Sequence, residues 1–418
     1  MHAPDRHESQ GKGEFIMRIG MMADSYKPHI SGITNYIDLN KTNLEQNGHE
    51  VYVFTFGKTK VYTEESDPRV IRSPGIPLLD SNYYLSLRYT RTAKKALQTM
   101  DVVHVHHPFL SGRLALYYCR QADIPIVFTN HTRYDLYAQV YLPLMPEELS
   151  QSLLQAYMPS FCEAVDLVIS PSAGMKQVLR ELGVVSPIEV IPNGVDLRHF
   201  HSPRPIARPK LGYASEDILL AYSGRLAVEK NLPFLLRCFA GIASVLPNVH
   251  LLLIGGGQPQ IEAELKSLVA ELGISQRVRF TGMIEYEQLP AYLAMCNVFT
   301  TASVSEVHPL SIVEAMAVGL PVVGIDSVGV SDIVVDGLTG FVSPNNQPAF
   351  TARLTRLCID TELRTRMSKA AKHASQEFSI ERTSKITLQY YERLLKEPGS
   401  KRKNRASNLR TILERFRT

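Results

Sequence analysis

Two glutamates eight positions apart, Glu306 and Glu314, lie in SEVHPLSIVEAMAVGLPVVG, just after the short apolar run Val298 to Thr301. The run has the length and composition of a buried strand, and Pro309 suits the opening of the helix that follows. A helix start presents unpaired N–H groups that favour an anion, so a diphosphate suits that point. With the helix beginning near Pro309, Glu314 stands about 7 Å further along at about 1.5 Å per residue, while Glu306 stays in the loop. Carboxylates accept hydrogen bonds, and sugar and ribose hydroxyls donate them. The pair can therefore hold separate parts of one extended ligand, a nucleotide sugar. Spacing alone decides little, because an exposed loop glutamate and a capping helix glutamate look the same, so the surrounding segments matter.

Those segments supply charge and close backbone approach. After the apolar run ending at Tyr222 comes SGRLAVEKN, in which Arg225 and Lys230 flank a helix start with Asn231 as its expected N-cap. Side-chain cations and the helix dipole there act on the same phosphates. In the first half, ADSYKPHISGITNYI follows the first strand, and Gly32 precedes a helical pattern from Ile33. A glycine at that point lets backbone approach a ligand. LLLIGGGQPQ lacks the last glycine of G-x-G-x-x-G and is rejected as a dinucleotide site. His104, His106 and His107 gather after one strand and His131 after another, in TNHTRYDLY. A metal site is set aside, since no paired acidic ligands accompany them and no D-x-D triplet occurs in the chain. His131 reads as a polar wall of a sugar pocket with Tyr134 and Tyr137 behind it.

The elements that must position these residues are parallel α/β sheets. Short β-rich runs alternate with helical patterns in both halves. Strands are expected near 18–23, 51–56, 102–106, 125–129, 167–170 and 189–191, then near 218–222, 250–254, 278–281, 298–301 and 321–324. Between the two sets, HFHSPRPIARPKLGYASED has three prolines and no apolar period, which marks a linker beside a cleft. Ligands of such sheets bind at the carboxyl ends of strands, so the residues just after each strand are the ones that bear on function. At 418 residues, 44% apolar and 21% charged, the chain suits two soluble domains. Scattered cysteines, five in all with no C-x-x-C, are expected to be reduced and buried. The first sixteen residues are polar without an apolar signal core, so a cytoplasmic protein is expected, and Met17 is a second candidate start.

Charge is uneven. Residues 396–418 carry a net of +6 in a chain whose total is +4. Leu409, Ile412, Leu413 and Phe416 follow helical spacing there, giving a basic amphipathic segment suited to an anionic membrane surface or to docking on the body. YYLSLRYTRTAKKAL is a second candidate surface, with Arg88, Arg91 and Lys95 near one helical face and Tyr83, Tyr84 and Tyr89 close by. Nucleic acid is a poor partner, since the basic excess sits in one tail without a recognition motif.

Taken in order, IPNGVD, GRLAVEKN, the Glu-x7-Glu segment and DGLTGF resemble the retaining glycosyltransferases of family 4, over about Met17 to Leu395. The resemblance implies the GT-B fold: two Rossmann-like domains facing across a cleft, over 17–200 and 212–380, and a helix at 381–396 crossing back to the first. A flexible extension (1–16) and the basic tail (397–418) flank them. It implies that Arg225 and Lys230 hold the donor diphosphate, Glu306 touches the transferred sugar, Glu314 binds ribose, Gly32 approaches the phosphates and His131 contacts the sugar near the reacting carbon. The nucleotide sugar is then a substrate, and neither metal nor cofactor is expected. Where the family usually carries Phe-Gly-Leu this chain has His308-Pro309-Leu310, and proline offers no N–H, so amide contacts fall to His308 or Leu310. HVHHPFLSGRLALYYCRQADIPIVFTNHTRYDLY further resembles the subgroup that glycosylates diacylglycerol or related lipids. The expected activity is retaining transfer of a hexose, glucose from UDP-glucose, to a lipid such as diacylglycerol, on the inner face of the cell membrane. Alternatives are a mannosyltransferase using GDP-mannose on phosphatidylinositol, a transferase with a soluble acceptor, a nucleotide-sugar epimerase, and a noncatalytic binding protein.

Overall fold

A computed structural model of the chain describes residues 16–29, 31–57, 67–77, 84–86, 88–136 and 147–396. The expected N-terminal extension up to residue 15, Tyr83, Tyr137 and the basic tail 397–418 lie outside the described residues. Two parallel sheets organise the rest. The first is built from β1 (Arg18–Met22), β2 (Glu50–Gly57) and β3 (Val70–Pro74), followed by a small antiparallel pair, β4 (Ile76–Pro77) with β5 (Tyr84–Leu85), that stands apart from it. It continues through β6 (Val102–Val105), β7 (Ile126–Thr129), β8 (Leu167–Ser170) and β9 (Ile188–Val190), in the spatial order β3-β2-β1-β6-β7-β8-β9. The second comprises β10 (Ile218–Ser223), β11 (Val249–Ile254), β12 (Val278–Gly282), β13 (Val298–Thr301), β14 (Val322–Ile325) and β15 (Gly340–Ser343), ordered β12-β11-β10-β13-β14-β15. Both are doubly wound Rossmann-like sheets whose order reverses once, between β1 and β6 and between β10 and β13.

Each sheet is buried on both faces, so its strands are near-continuous apolar runs. Phe54, Val103, Val105 and Phe128 pack on one side of the first sheet, Ile19, Met21, Val53 and Val127 on the other. In the second, Leu220, Leu251 and Leu253 alternate in the same way with Leu219, Ala221 and Leu252. All five cysteines are free and buried. No helix among the described residues is long and apolar enough to cross a membrane.

The chain passes between the domains twice. In the first passage, Arg208 fastens the linker to the second domain by donating to the carbonyls of Met295, Ser215 and Asp217 and to Asn297 Oδ1. In the second, the helix Ile380–Lys396 returns to the first domain, where Tyr391 and Leu394 join the cluster of Ile37 and Leu44. Ser384 Oγ donates to Asn43 Oδ1 (2.5 Å) and Tyr390 Oη to Glu189 (2.8 Å). The two passages touch. The Val195 amide donates to Phe378 O and the Ile380 amide to Val195 O, both at 2.9 Å. Gly194 makes that approach possible, because a Cβ there would lie 2.8 Å from Ile380 Cα.

One expected surface changes character. The helix opens at Arg91, capped by Thr90, so Arg88 lies before it. Arg88, Arg91 and Lys95 are exposed, but Tyr89 is a core residue stacked on Phe56.

Candidate active site

Both reversals of strand order carry candidate residues at their carboxyl ends, the place where doubly wound sheets bind ligands. At the second, the loop after β10 is stitched to the loop after β11. Gly224 N donates to Ile254 O (3.0 Å) and Leu226 N to Gly256 O (2.9 Å). Gly255 and Gly257 permit this contact: an added Cβ would stand 3.0 Å from Gly224 C and 2.9 Å from Leu226 Cβ respectively. The glycine triplet thus serves as backing for the Arg225 loop. Tyr222 Oη donates to Arg225 O (2.9 Å), fixing the turn from beneath. The Arg225 guanidinium is 65% exposed and pairs with Glu229 at 2.7 Å.

Lys230 closes a single helical turn, Val228–Lys230, and its Nζ lies 2.6 Å from Glu306 Oε1. The loops after β10 and β13, neighbours in the sheet, are therefore joined by an ion pair between two predicted site residues. Asn231 precedes the helix Leu232–Ala243 as expected, but it caps nothing with its side chain. Its backbone is left-handed (φ 51°), which asparagine tolerates, and its side-chain Nδ2 donates to Ala302 O at 3.3 Å. The residue thus ties the loop to the end of β13.

The helix beyond β13 runs Leu310–Val318 with Pro309 at its N-cap and Gly319 closing it in the left-handed region. Leu310 packs its side chain on the second domain's core, leaving only its amide for a ligand. Glu314, 7% exposed, accepts from Tyr286 Oη at 2.8 Å. Burial pushes its carboxyl up to about 7, and the Tyr286 bond pulls the other way. His308 is buried edge-on to Phe378 at 5.3 Å, and neither ring nitrogen has a hydrogen-bond partner among the described residues. Burial lowers its pKa to about 4, so the ring is neutral.

Across the cleft, Gly32 is the first residue of the helix Gly32–Gln46, capped by Ser31 in a reciprocal box with Thr34. An added Cβ at Gly32 meets no atom within 4 Å, so packing does not demand glycine there. His131 sits against Tyr36 (centroids 4.6 Å apart) and hydrogen-bonds His106 at 3.1 Å. Tyr134, expected behind it, is instead buried edge-on to Phe109 in the core. His104 is held at 2.6 Å on each nitrogen, by Tyr391 Oη and Thr129 Oγ1, and so serves the return helix.

The two halves face each other closely. His29, in the loop after β1, is kept below its ordinary pKa by burial and by the charge of Arg225. Val307, beside Glu306, packs into the first domain's core, and Asp332 accepts from the Gly174 amide at 2.9 Å. Arg225, Lys230, Glu306 and Glu314 gather on the second domain, while Gly32 and His131 stand on the first. Sequence reasoning missed Tyr286, Glu229, Tyr36 and His106 as their partners. Tyr286 follows β12, so inspection of every strand end would have found it.

The chain's similarities agree with this geometry. Residues 30–199 match the model described as Glycosyltransferase Family 4, and residues 203–374 match Glycosyl transferases group 1. An alpha-monoglucosyldiacylglycerol synthase of Streptococcus pneumoniae is 31% identical over 336 residues, covering 78% of this chain and 74% of the relative. That of Acholeplasma laidlawii is 28% identical over 380 residues, covering 87% and 94%. The crystal structure of HepE from Anabaena with UDP-glucose superposes with a TM-score of 0.67 at 22% identity, over 90% of this chain and 100% of that one. The chain belongs to the glycosyltransferases of the GT-B fold, with a family 4 first domain and a group 1 second domain.

Proposed function

We propose that this glycosyltransferase moves glucose from UDP-glucose to a lipid hydroxyl, such as that of diacylglycerol, with the anomeric configuration retained. The observation that carries the reading is the Lys230–Glu306 pair joining the loops at the second strand reversal, with Arg225 beside it and Glu314 further along the helix. Similarity to two alpha-monoglucosyldiacylglycerol synthases supports the acceptor class, and the HepE complex supports the donor.

On this reading the diphosphate lies at the start of the helix Leu310–Val318, between Arg225 and Lys230. Arrival of the phosphates draws Lys230 from Glu306, freeing the carboxylate to accept from sugar hydroxyls. Glu314 accepts from ribose in place of Tyr286. The acceptor oxygen attacks the anomeric carbon from the face the diphosphate leaves. The carbon–oxygen bond to the diphosphate breaks, and the acceptor proton passes to the departing diphosphate oxygen. A double displacement would need two carboxyls roughly 5 Å apart flanking the bond. On this reading Glu306 is taken up by sugar hydroxyls and Glu314 by ribose, which suits binding roles for both. Rate enhancement then comes from positioning and from the cations that stabilise the leaving group. The exposed Arg88, Arg91 and Lys95, with the basic segment 397–418, supply the charge for an anionic bilayer on the cytoplasmic side.

The test is transfer of radiolabelled glucose from UDP-glucose into the organic phase, with diacylglycerol in anionic mixed micelles. Label in the lipid, lost in Glu306→Ala, is the expected result. Transfer only from GDP-mannose, or only to a soluble acceptor, would overturn the substrate assignment, and donor turnover without any acceptor would favour an epimerase.

A further inference from the structure

His106 and His131 come from adjacent strand ends, after β6 and β7, and meet through His106 Nδ1 and His131 Nε2 at 3.1 Å. A proton must lie between these two nitrogens, since two bare lone pairs would repel. His106 has no exposed surface, with the His104 ring 4.4 Å from its centroid and Tyr36 edge-on at 5.5 Å. Burial holds both imidazoles well below their ordinary pKa, and the neighbouring histidines push the same way. Both rings are therefore neutral, and each carries a single proton.

Two arrangements satisfy the contact. If His131 donated from Nε2, His106 would have to carry its own proton on Nε2. That nitrogen is buried and has no hydrogen-bond partner among the described residues. An orphaned buried N–H is the rarer and costlier defect. If His106 donates from Nδ1, its Nε2 is only an unused lone pair, and the proton of His131 moves to Nδ1. From this geometry we infer that His106 is a positioning residue that fixes His131 as the Nδ1–H tautomer, so that His131 meets the donor sugar or its diphosphate as a hydrogen-bond donor. The ligand half of this inference rests on the reading of His131 as a wall of the sugar pocket. The tautomer half stands on the histidine pair alone.

The test is nitrogen NMR of the 15N-histidine-labelled protein, with the His131 signals assigned by their loss in His131→Ala. The expected spectrum shows neutral His131 protonated on Nδ1 in the wild type. His106→Asn keeps a donor near the same place and retains that tautomer, whereas His106→Leu loses it. Turnover should fall about tenfold in His106→Leu, on the order of one hydrogen bond, and recover most of the way in His106→Asn. A wild-type His131 protonated on Nε2, or an unchanged tautomer in His106→Leu, would overturn the inference. Full transfer activity in His131→Ala would instead sink the pocket reading, and the spectrum would still decide the tautomer.

Discussion

Substituting Gly257 by alanine tests whether the glycine triplet backs the Arg225 loop. The new Cβ would lie 2.9 Å from Leu226 Cβ, with the Leu226 carbonyl oxygen nearer still. Carbon atoms pack at about 3.5–4.0 Å, so the loop must retreat by roughly 1 Å. It is held to the loop after β11 by two backbone hydrogen bonds, from Gly224 and Leu226, and from beneath by Tyr222 Oη on Arg225 O, and it carries the exposed Arg225. Such a loop gives way before the buried strand β11 does. A shift of that size at a charge-stabilising group costs about 10²-fold in turnover, while overpacking costs about 1–3 kcal/mol of stability. Steady-state transfer, calorimetric titration with UDP and thermal melting separate the two. The expected outcome is a folded protein with kcat reduced about 10²-fold and weakened UDP binding. A lowered melting temperature with kcat and the UDP Kd unchanged would mean that β11 moved and the loop did not, refuting the reasoning.

Lys230→Ala should lower kcat by about 10²-fold or more, the order seen when one charge-stabilising donor is lost, and near-normal turnover would remove Lys230 from the mechanism. Gly32→Ala should leave the melting temperature unchanged, since its Cβ meets nothing within 4 Å, yet raise the donor KM; an unchanged KM would take Gly32 out of the phosphate site. The Glu314 carboxyl, raised from 4.5 to about 7 by burial, binds ribose best when ionised, so donor KM should fall as pH rises through 7, and Glu314→Gln should abolish that trend. Because folding favours its protonated form, its stabilisation is complete below pH 4.5 and lost as pH rises through about 7. Glu314→Gln should therefore melt higher than wild type at pH 8, with the gap closing by pH 5. Liposome flotation of the full chain against a chain ending at Glu397 reads the basic segment, and equal flotation would discard its membrane role.

The sheets were legible because strands buried on both faces leave apolar runs such as Val298–Thr301 and Leu167–Ser170. Besides the small β4–β5 pair, the missed strands were edges of the two parallel sheets. β3 is VIRSP, with a polar interior and a proline, and β15 is GFVS, hidden in a turn-like DGLTGF stretch. Gly32, Arg225, Lys230, Glu306 and Glu314 each stand just beyond a strand or on the helix it feeds, where loop chemistry shows in the residues themselves. Their partners were illegible for the opposite reason. Tyr286 reaches Glu314 across 28 positions, and His106 reaches His131 across 25, with no local signal linking either pair. Asn231 misled because its type fits a side-chain cap, whereas its backbone is left-handed and its side-chain amide is spent on the Ala302 carbonyl.

The returning helix Ile380–Lys396 also imposes an order of assembly. β9 ends at Val190, so roughly 200 residues of synthesis, about 10–40 s at typical elongation rates, separate the first domain's last strand from the helix that covers Ile37 and Leu44. The second domain has all its strands and is complete by then. The earlier-made domain is therefore the later to finish, and it waits on the ribosome with an apolar face uncovered. A chain stopped before Ile380 would fail in its first half rather than at the cut, and supplying residues 380–396 as a separate peptide is the direct way to rescue it.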